Sequence, residues 1–196
     1  MSRSRRYSSG FTVLELLVVV AIIIALAGLV LGTVGYVQKK GARSRAEAEI
    51  AAMSAACESY KADNGIYPTN AATNALTPKS NFDPTVGTYA NASLYLYKEL
   101  SGDRDANRTV TASDDLSGSG VIPPIYFTFK PNNLSPSTPP TASVTGIRDP
   151  FGNSYGYSTA QASNPSGNEG YNPTFDLWST AGGTQKSDEL QWVKNW

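Results

Sequence analysis

The chain has no histidine. That removes the usual general base near neutral pH and the commonest zinc ligand. It has one cysteine, Cys57, so no intrachain disulfide can form. No phosphate-binding loop or dinucleotide fingerprint occurs. The composition is compatible with a Ser–Lys or paired-carboxylate site, but no spacing points to one. The expectation is a protein that is not an enzyme. Net charge is lacking too, since 16 Lys and Arg balance 16 Asp and Glu. There is no basic excess of the kind that marks nucleic-acid binders, and no nucleic-acid partner is expected.

Charge is absent above all from Leu16 to Val37. That run reaches the roughly 20 apolar residues a helix needs to cross a bilayer. A basic leader precedes it, Met1 to Gly10 with Arg3, Arg5 and Arg6. Glu15 sits one turn inside the apolar segment. A lone carboxylate there costs on the order of 2.5–3.5 kcal/mol on insertion scales, so it needs a partner. The plain alternative is an ordinary signal anchor that tolerates one acid. A secretory signal peptide fits less well, because its apolar region is shorter and a small-residue cleavage site follows it.

Gly10 followed by Phe11-Thr12-Val13-Leu14-Glu15-Leu16-Leu17-Val18-Val19-Val20-Ala21-Ile22-Ile23 resembles the class III signal of type IV pilins and type II secretion pseudopilins. The resemblance implies cleavage between Gly10 and Phe11 by a membrane-embedded prepilin peptidase, then methylation of the new amino terminus at Phe11. It makes Glu15 the fifth mature residue, the one the family uses in assembly. The amine of a neighbouring subunit is its implied partner, with its own Phe11 amine as the alternative. Basic residues flank both ends of the span, with Lys39, Lys40, Arg43 and Arg45 following it. Orientation is therefore not decided by charge. The resemblance implies the leader in the cytoplasm and the bulk outside.

The helix is predicted to continue past the membrane. Ala46, Ile50, Met53, Cys57 and Tyr60 recur at spacings that put them on one face, fit to pack on the domain's own sheet. Cys57 lies in that stripe and reads as a small core hydrophobe. Asp63-Asn64-Gly65 supplies the stop, with Gly65 suited to a left-handed cap and Pro68 beyond it. Gly28, Gly32 and Gly35 interrupt the apolar half, and Gly28 with Gly32 makes a G-x-x-x-G pair. Two readings stay open: ordinary membrane-helix glycines, or a soft segment that unwinds when subunits pack.

The remaining chain suits one modest domain. Residues 70 to 87 read as loop, and Tyr89 to Leu100 as a short helix. Ser101 to Gly120 carries Asp103, Asp105, Asp114 and Asp115 without EF-hand order, and reads as solvated loop. Ile122 to Lys130 is a predicted strand, because Ile125, Phe127 and Phe129 alternate with Tyr126, Thr128 and Lys130. Pro131 to Pro140 is Pro-, Ser- and Asn-rich loop. Further strands are predicted over about 153–159 and 174–179.

Three later stretches extend the resemblance. Asp63-Asn64-Gly65-Ile66-Tyr67-Pro68-Thr69, Asp149-Pro150-Phe151-Gly152-Asn153-Ser154-Tyr155 and Phe175-Asp176-Leu177-Trp178-Ser179 are similar to the type II secretion major pseudopilin, the protein G family, as is the ending Asn195-Trp196. The expected fold is then α+β and type IV pilin-like, a long helix on a small antiparallel sheet. The expected parts are leader 1–10, transmembrane helix 11–37, amphipathic continuation 38–65 and periplasmic domain 66–196. The resemblance implies a single-pass inner-membrane subunit of a filament. Its implied partners are further copies of itself, minor pseudopilins, the prepilin peptidase, and the inner-membrane assembly platform with its ATPase. Its implied task is to help drive folded proteins through the outer-membrane secretin. An adhesive type IV pilin and an anchored binding protein that never polymerises are the competing readings. The absence of a possible disulfide leans towards the pseudopilin. The family also binds calcium in the loop after the last strand, which implies Ser179 and Asp188 as ligands, with a solvated acidic turn as the alternative.

Overall fold

The computed structural model describes residues 10–139 and 141–196, and for 30–34 the backbone alone. The leader residues Met1 to Ser9 lie outside the described residues. The chain divides into two compact units, Met1–Gly41 and Ala42–Trp196. Helix α1, Val13–Asn64, contributes to both. It ends as the Asp-Asn-Gly stop predicts: Gly65 takes φ +79°, and its N–H donates to the Lys61 carbonyl at 2.8 Å.

The second unit adds α2 (Ala71–Ala75), α3 (Gly87–Ser101) and α4 (Ala160–Ser163). Its strands are β1 (Leu134–Ser135), β2 (Gly146–Ile147), β3 (Gly156–Ser158), β4 (Asp176–Ser179) and β5 (Val193–Lys194). β1 and β2 pair as one antiparallel ribbon, and β3-β4-β5 form an antiparallel sheet with β4 in the middle. The expected α+β class holds.

The α1 stripe is core. Ala46, Ile50, Met53 and Cys57 are all buried in one cluster with Leu96 and Leu100 of α3 and Tyr155, Tyr157, Leu177 and Val193. Tyr60 is half-buried, and its hydroxyl donates to Glu99 Oε2 at 2.8 Å. Burial pushes the Cys57 thiol up to about 12, with the Glu58 carboxylate acting in the same direction. Only about one thiol in 10⁴ is then thiolate at pH 8, and thiolate is the reactive form. Cys57 should therefore resist iodoacetamide in the folded chain and react only after denaturation, which mass spectrometry reads directly.

A second cluster joins Leu76, Tyr89, Ala92, Trp178 and Trp192. Trp178 donates its Nε1–H to the Tyr89 hydroxyl at 3.1 Å and stacks on Trp192 at 5.8 Å. Gly156 lies opposite Trp178 in the ladder, where an added Cβ would come 2.2 Å from the indole. Only glycine leaves room there for the ring.

Two expectations need correction. Ile122 to Lys130 is not a strand. Pro123 and Pro124 have no N–H to give a ladder. Instead the N–H groups of Tyr126 and Phe127 both donate to the Leu100 carbonyl, at 2.8 and 2.9 Å, near the end of α3. That satisfies a carbonyl the helix end leaves over. The sheet's third strand is β5. The loop expected over 70–87 also holds α2, started by a capping box in which the Asn70 carboxamide accepts the Thr73 N–H and the Thr73 hydroxyl accepts the Asn70 N–H.

Candidate functional site

The N-terminal segment is built from its helix start. Gly10, Phe11 and Thr12 precede α1, and Phe11 is 88% exposed, so the Gly10–Phe11 bond lies in accessible, non-helical chain. Glu15 is tied to Thr12. Its N–H donates to the Thr12 hydroxyl at 3.2 Å. In return its Oε2 accepts the Thr12 N–H and the Thr12 O–H, each at 2.9 Å. This is a capping box, threonine at the cap and glutamate three residues on. The signal Thr-x-x-Glu stands in the sequence directly before the apolar run, a local start signal distinct from the resemblance that singled out Glu15. It gives Glu15 a local job before any partner is invoked.

Beyond the cap the helix is apolar on every side. Leu14, Leu17, Ile24 and Leu29 are all more than 60% exposed, with Val13, Ile22 and Ile23 also largely uncovered. A helix apolar all round is one whose surroundings are apolar. Among the described residues no helix is long and apolar enough to cross a membrane. The expected span includes residues 30–34, so Gly32 and its pairing with Gly28 fall outside the described side chains. At Gly28 and Gly35 an added Cβ would meet nothing within 4 Å. Among the described residues nothing requires glycine at either place.

The Asp-Pro-Phe-Gly-Asn motif organises the other end of the molecule. Asp149 Oδ1 accepts the N–H groups of Phe151 and Asn153, at 3.0 and 2.8 Å. Gly152 makes the turn at φ +97°. Burial raises the Asp149 pKa, and the hydrogen bond from Ser179 and those backbone N–H groups oppose the rise. Ser179, fully buried at the end of β4, donates its hydroxyl to Asp149 Oδ2 and accepts the Ala181 N–H at 3.1 Å. Asp188 lies in the short 3-10 helix Lys186–Gln191, where its Oδ2 accepts the N–H groups of Thr184 and Gln185 at 3.1 Å each. Glu189 accepts from the Tyr171 hydroxyl. The two implied calcium ligands thus direct their polar atoms to separate protein partners. Calcium takes about six to eight oxygens. The side chains of this loop gather N–H and O–H groups rather than presenting such a set of oxygens.

Carboxylates do converge elsewhere. Oxygens of Asp103, Asp105 and Asp114 lie within 4.8 Å of one another. Two of the three contradict the solvated-loop expectation, because Asp103 and Asp114 are buried. Asp103 accepts from the Tyr97 hydroxyl at 2.5 Å and from the N–H groups of Asn107 and Arg108. Asp114 accepts from the N–H groups of Arg104, Asp105 and Thr111. Burial opposes its ionisation, yet those N–H groups hold its pKa below the usual carboxylate value. These acids are internal braces of the 101–120 segment. Asp115 is half-buried and serves an adjoining turn through Ser117 and Ser119.

No family model matches the chain, and no solved structure does. Curated relatives do. The chain is 33% identical over 111 residues to type II secretion system core protein G of Escherichia coli K12, spanning 56% of this chain and 75% of that protein. It is 40% identical over 65 residues to the protein of the same name from Aeromonas hydrophila, 33% of this chain and 46% of the relative. It is 40% identical over 81 residues to that of Pseudomonas aeruginosa, 41% and 57%. The chain thus spans about half the length of two of these relatives and three quarters of the third.

Proposed function

The chain belongs to the type II secretion system core protein G family, and we propose that it is a structural subunit of the type II secretion pseudopilus rather than an enzyme. One observation carries the reading beyond the relatives' names. A capped helix with apolar side chains exposed all round follows directly on an accessible Gly10–Phe11 bond. A helix of that kind needs lipid or other copies of itself around it. Prepilin peptidase cuts after Gly10, and Phe11 becomes the methylated amino terminus. The apolar half of α1 is the single inner-membrane span, and the unit from Ala42 onward lies in the periplasm. From the membrane the subunit joins further copies and minor pseudopilins, driven by the assembly platform and its ATPase. The growing filament helps move folded proteins through the outer-membrane secretin.

Processing is directly measurable. Mass spectrometry of the membrane-extracted protein should give a chain that begins at methylated Phe11. Intact Met1 to Gly10 in cells with active prepilin peptidase would rule the processing out. Deleting the gene separates the pseudopilin from an adhesive pilin. Loss of enzyme release, in a wild type without surface filaments, fits the first. Surface filaments made at ordinary expression fit the second.

A further inference from the structure

We propose that the loop between β4 and β5 is a metal-free latch, closed from within by Asp188 and from outside by the guanidinium of Arg43. The loop leaves β4 after Ser179 and returns as β5, which pairs back onto β4 through Ser179↔Val193 and Trp178↔Lys194. A loop of this length needs something to hold its interior.

Two groups hold it. Inside, Asp188 gathers the N–H groups of Thr184 and Gln185. Its own N–H donates to the Gln185 carbonyl at 3.0 Å, which completes the turn. The fit is tight: a Cβ at Gly183 would come 2.4 Å from the Asp188 Cβ, and Gly182 takes φ +89°. Outside, Arg43 donates Nη1–H to the Gln191 carbonyl at 2.6 Å and Nη2–H to the Trp192 carbonyl at 3.3 Å. Its Nε pairs with Glu47 Oε1 at 3.3 Å, which aims the fork. Carbonyls at the end of a helical turn lack partners and carry partial negative charge. They call for a cation. Here the cation is a side chain of α1, fixed covalently in the chain. A carboxylate facing N–H groups and carbonyls facing a guanidinium leave these polar groups matched within the chain.

The latch covers Trp192, which is 2% exposed, stacked on Trp178 and packed on Phe82. Opening the loop would uncover that indole and unwind the exposed Lys186–Ser187 bond from its 3-10 helix, giving a protease the extended chain it needs.

Limited trypsinolysis of the full chain in detergent tests this, with cleavage after Lys186 followed by mass spectrometry. Cleavage after Lys98, within α3, serves as the measure of global unfolding. In the wild type the Lys186 rate should be the same in calcium chloride and in chelator. Arg43→Ala and Asp188→Ala should each raise it by about tenfold, as local opening does, without raising the Lys98 rate. Asp188→Asn should stay within about threefold of wild type, because a carboxamide oxygen still accepts N–H groups. Protection of the wild type by calcium overturns the proposal. So does an Asp188→Asn rate equal to that of Asp188→Ala, the pattern of a lost metal ligand. Unchanged rates in Arg43→Ala, or a parallel rise at Lys98, overturn the latch as a separate element.

Discussion

Met53→Asp is expected to unfold the unit from Ala42 to Trp196, whereas Met53→Leu should be nearly silent. Met53 is 1% exposed and lies mid-stripe on α1. It lines a cleft with Phe127, Phe129, Ile147 and Tyr155. A carboxylate there is withdrawn from water among aromatic rings. The nearest acid on that face makes matters worse: Glu49, one turn earlier, already accepts the Tyr155 hydroxyl at 2.6 Å. Like charges at that spacing repel. Burying an unpaired charge belongs to the severe class of substitutions, about 4 kcal/mol or more. Whole-domain stability is only about 5–15 kcal/mol. Leucine conserves volume and polarity and should cost less than about 1.5 kcal/mol. Near-UV circular dichroism during a thermal scan of the detergent-solubilised chain reads both. Equal melting of Met53→Asp and wild type would show that the α1 stripe is not core.

How far such features were legible in the sequence depends on the range of the interactions behind them. The α1 stripe and the Gly65 stop rest on a local periodicity and a local backbone preference, so both were readable. The segment from Ile122 to Lys130 had the right alternation for the wrong reason. Phe129 packs on Tyr97 at 5.2 Å and on Phe127 at 4.7 Å, so the alternation records side-chain packing and not a hydrogen-bonded ladder. β5 was invisible because two residues carry no period. What places it is distant: Leu177 N–H donates to Asn195 Oδ1 at 2.9 Å, and Asn195 N–H to the Leu177 carbonyl at 3.1 Å. Trp196 then stacks on Tyr171 at 4.7 Å. The ending Asn195-Trp196 is therefore structural, an extension of the sheet. The burial of Asp103 and Asp114 is not legible in composition, which tells only that a carboxylate is present. Whether it faces water or backbone N–H groups is decided by the turn around it.

Glu15→Gln is expected to leave a protein that inserts, is cut after Gly10 and folds, yet enters no filament. The prediction separates two roles that Glu15→Ala would confound. One role is the capping box with Thr12. Glutamine serves a capping box as glutamate does, since its carboxamide oxygen accepts the same bonds. The other role needs charge. Cleavage creates a cationic amine at Phe11, and a carboxylate in an apolar setting is costly until such a cation meets it. If the amine belongs to the neighbouring subunit, the pair forms only on docking, and its geometry sets the axial register. Losing the charge then removes the reward for docking and leaves the helix start intact. Glu15→Ala loses the cap as well and should add a loss of helix stability of about 1 kcal/mol. Crosslinking of filaments and the amount of enzyme released to the medium read assembly. Membrane extraction and mass spectrometry read insertion and processing. Normal assembly by Glu15→Gln would mean that Glu15 acts only as a helix cap. Failure of insertion or cleavage would place its role before assembly. An amine of the same chain predicts a third outcome: Glu15→Gln would weaken each subunit equally with or without neighbours, so mixing it with wild-type subunits would not poison their filaments. If the pair bridges subunits, each variant subunit has an amine but no carboxylate, and mixed filaments should shorten in proportion to its share.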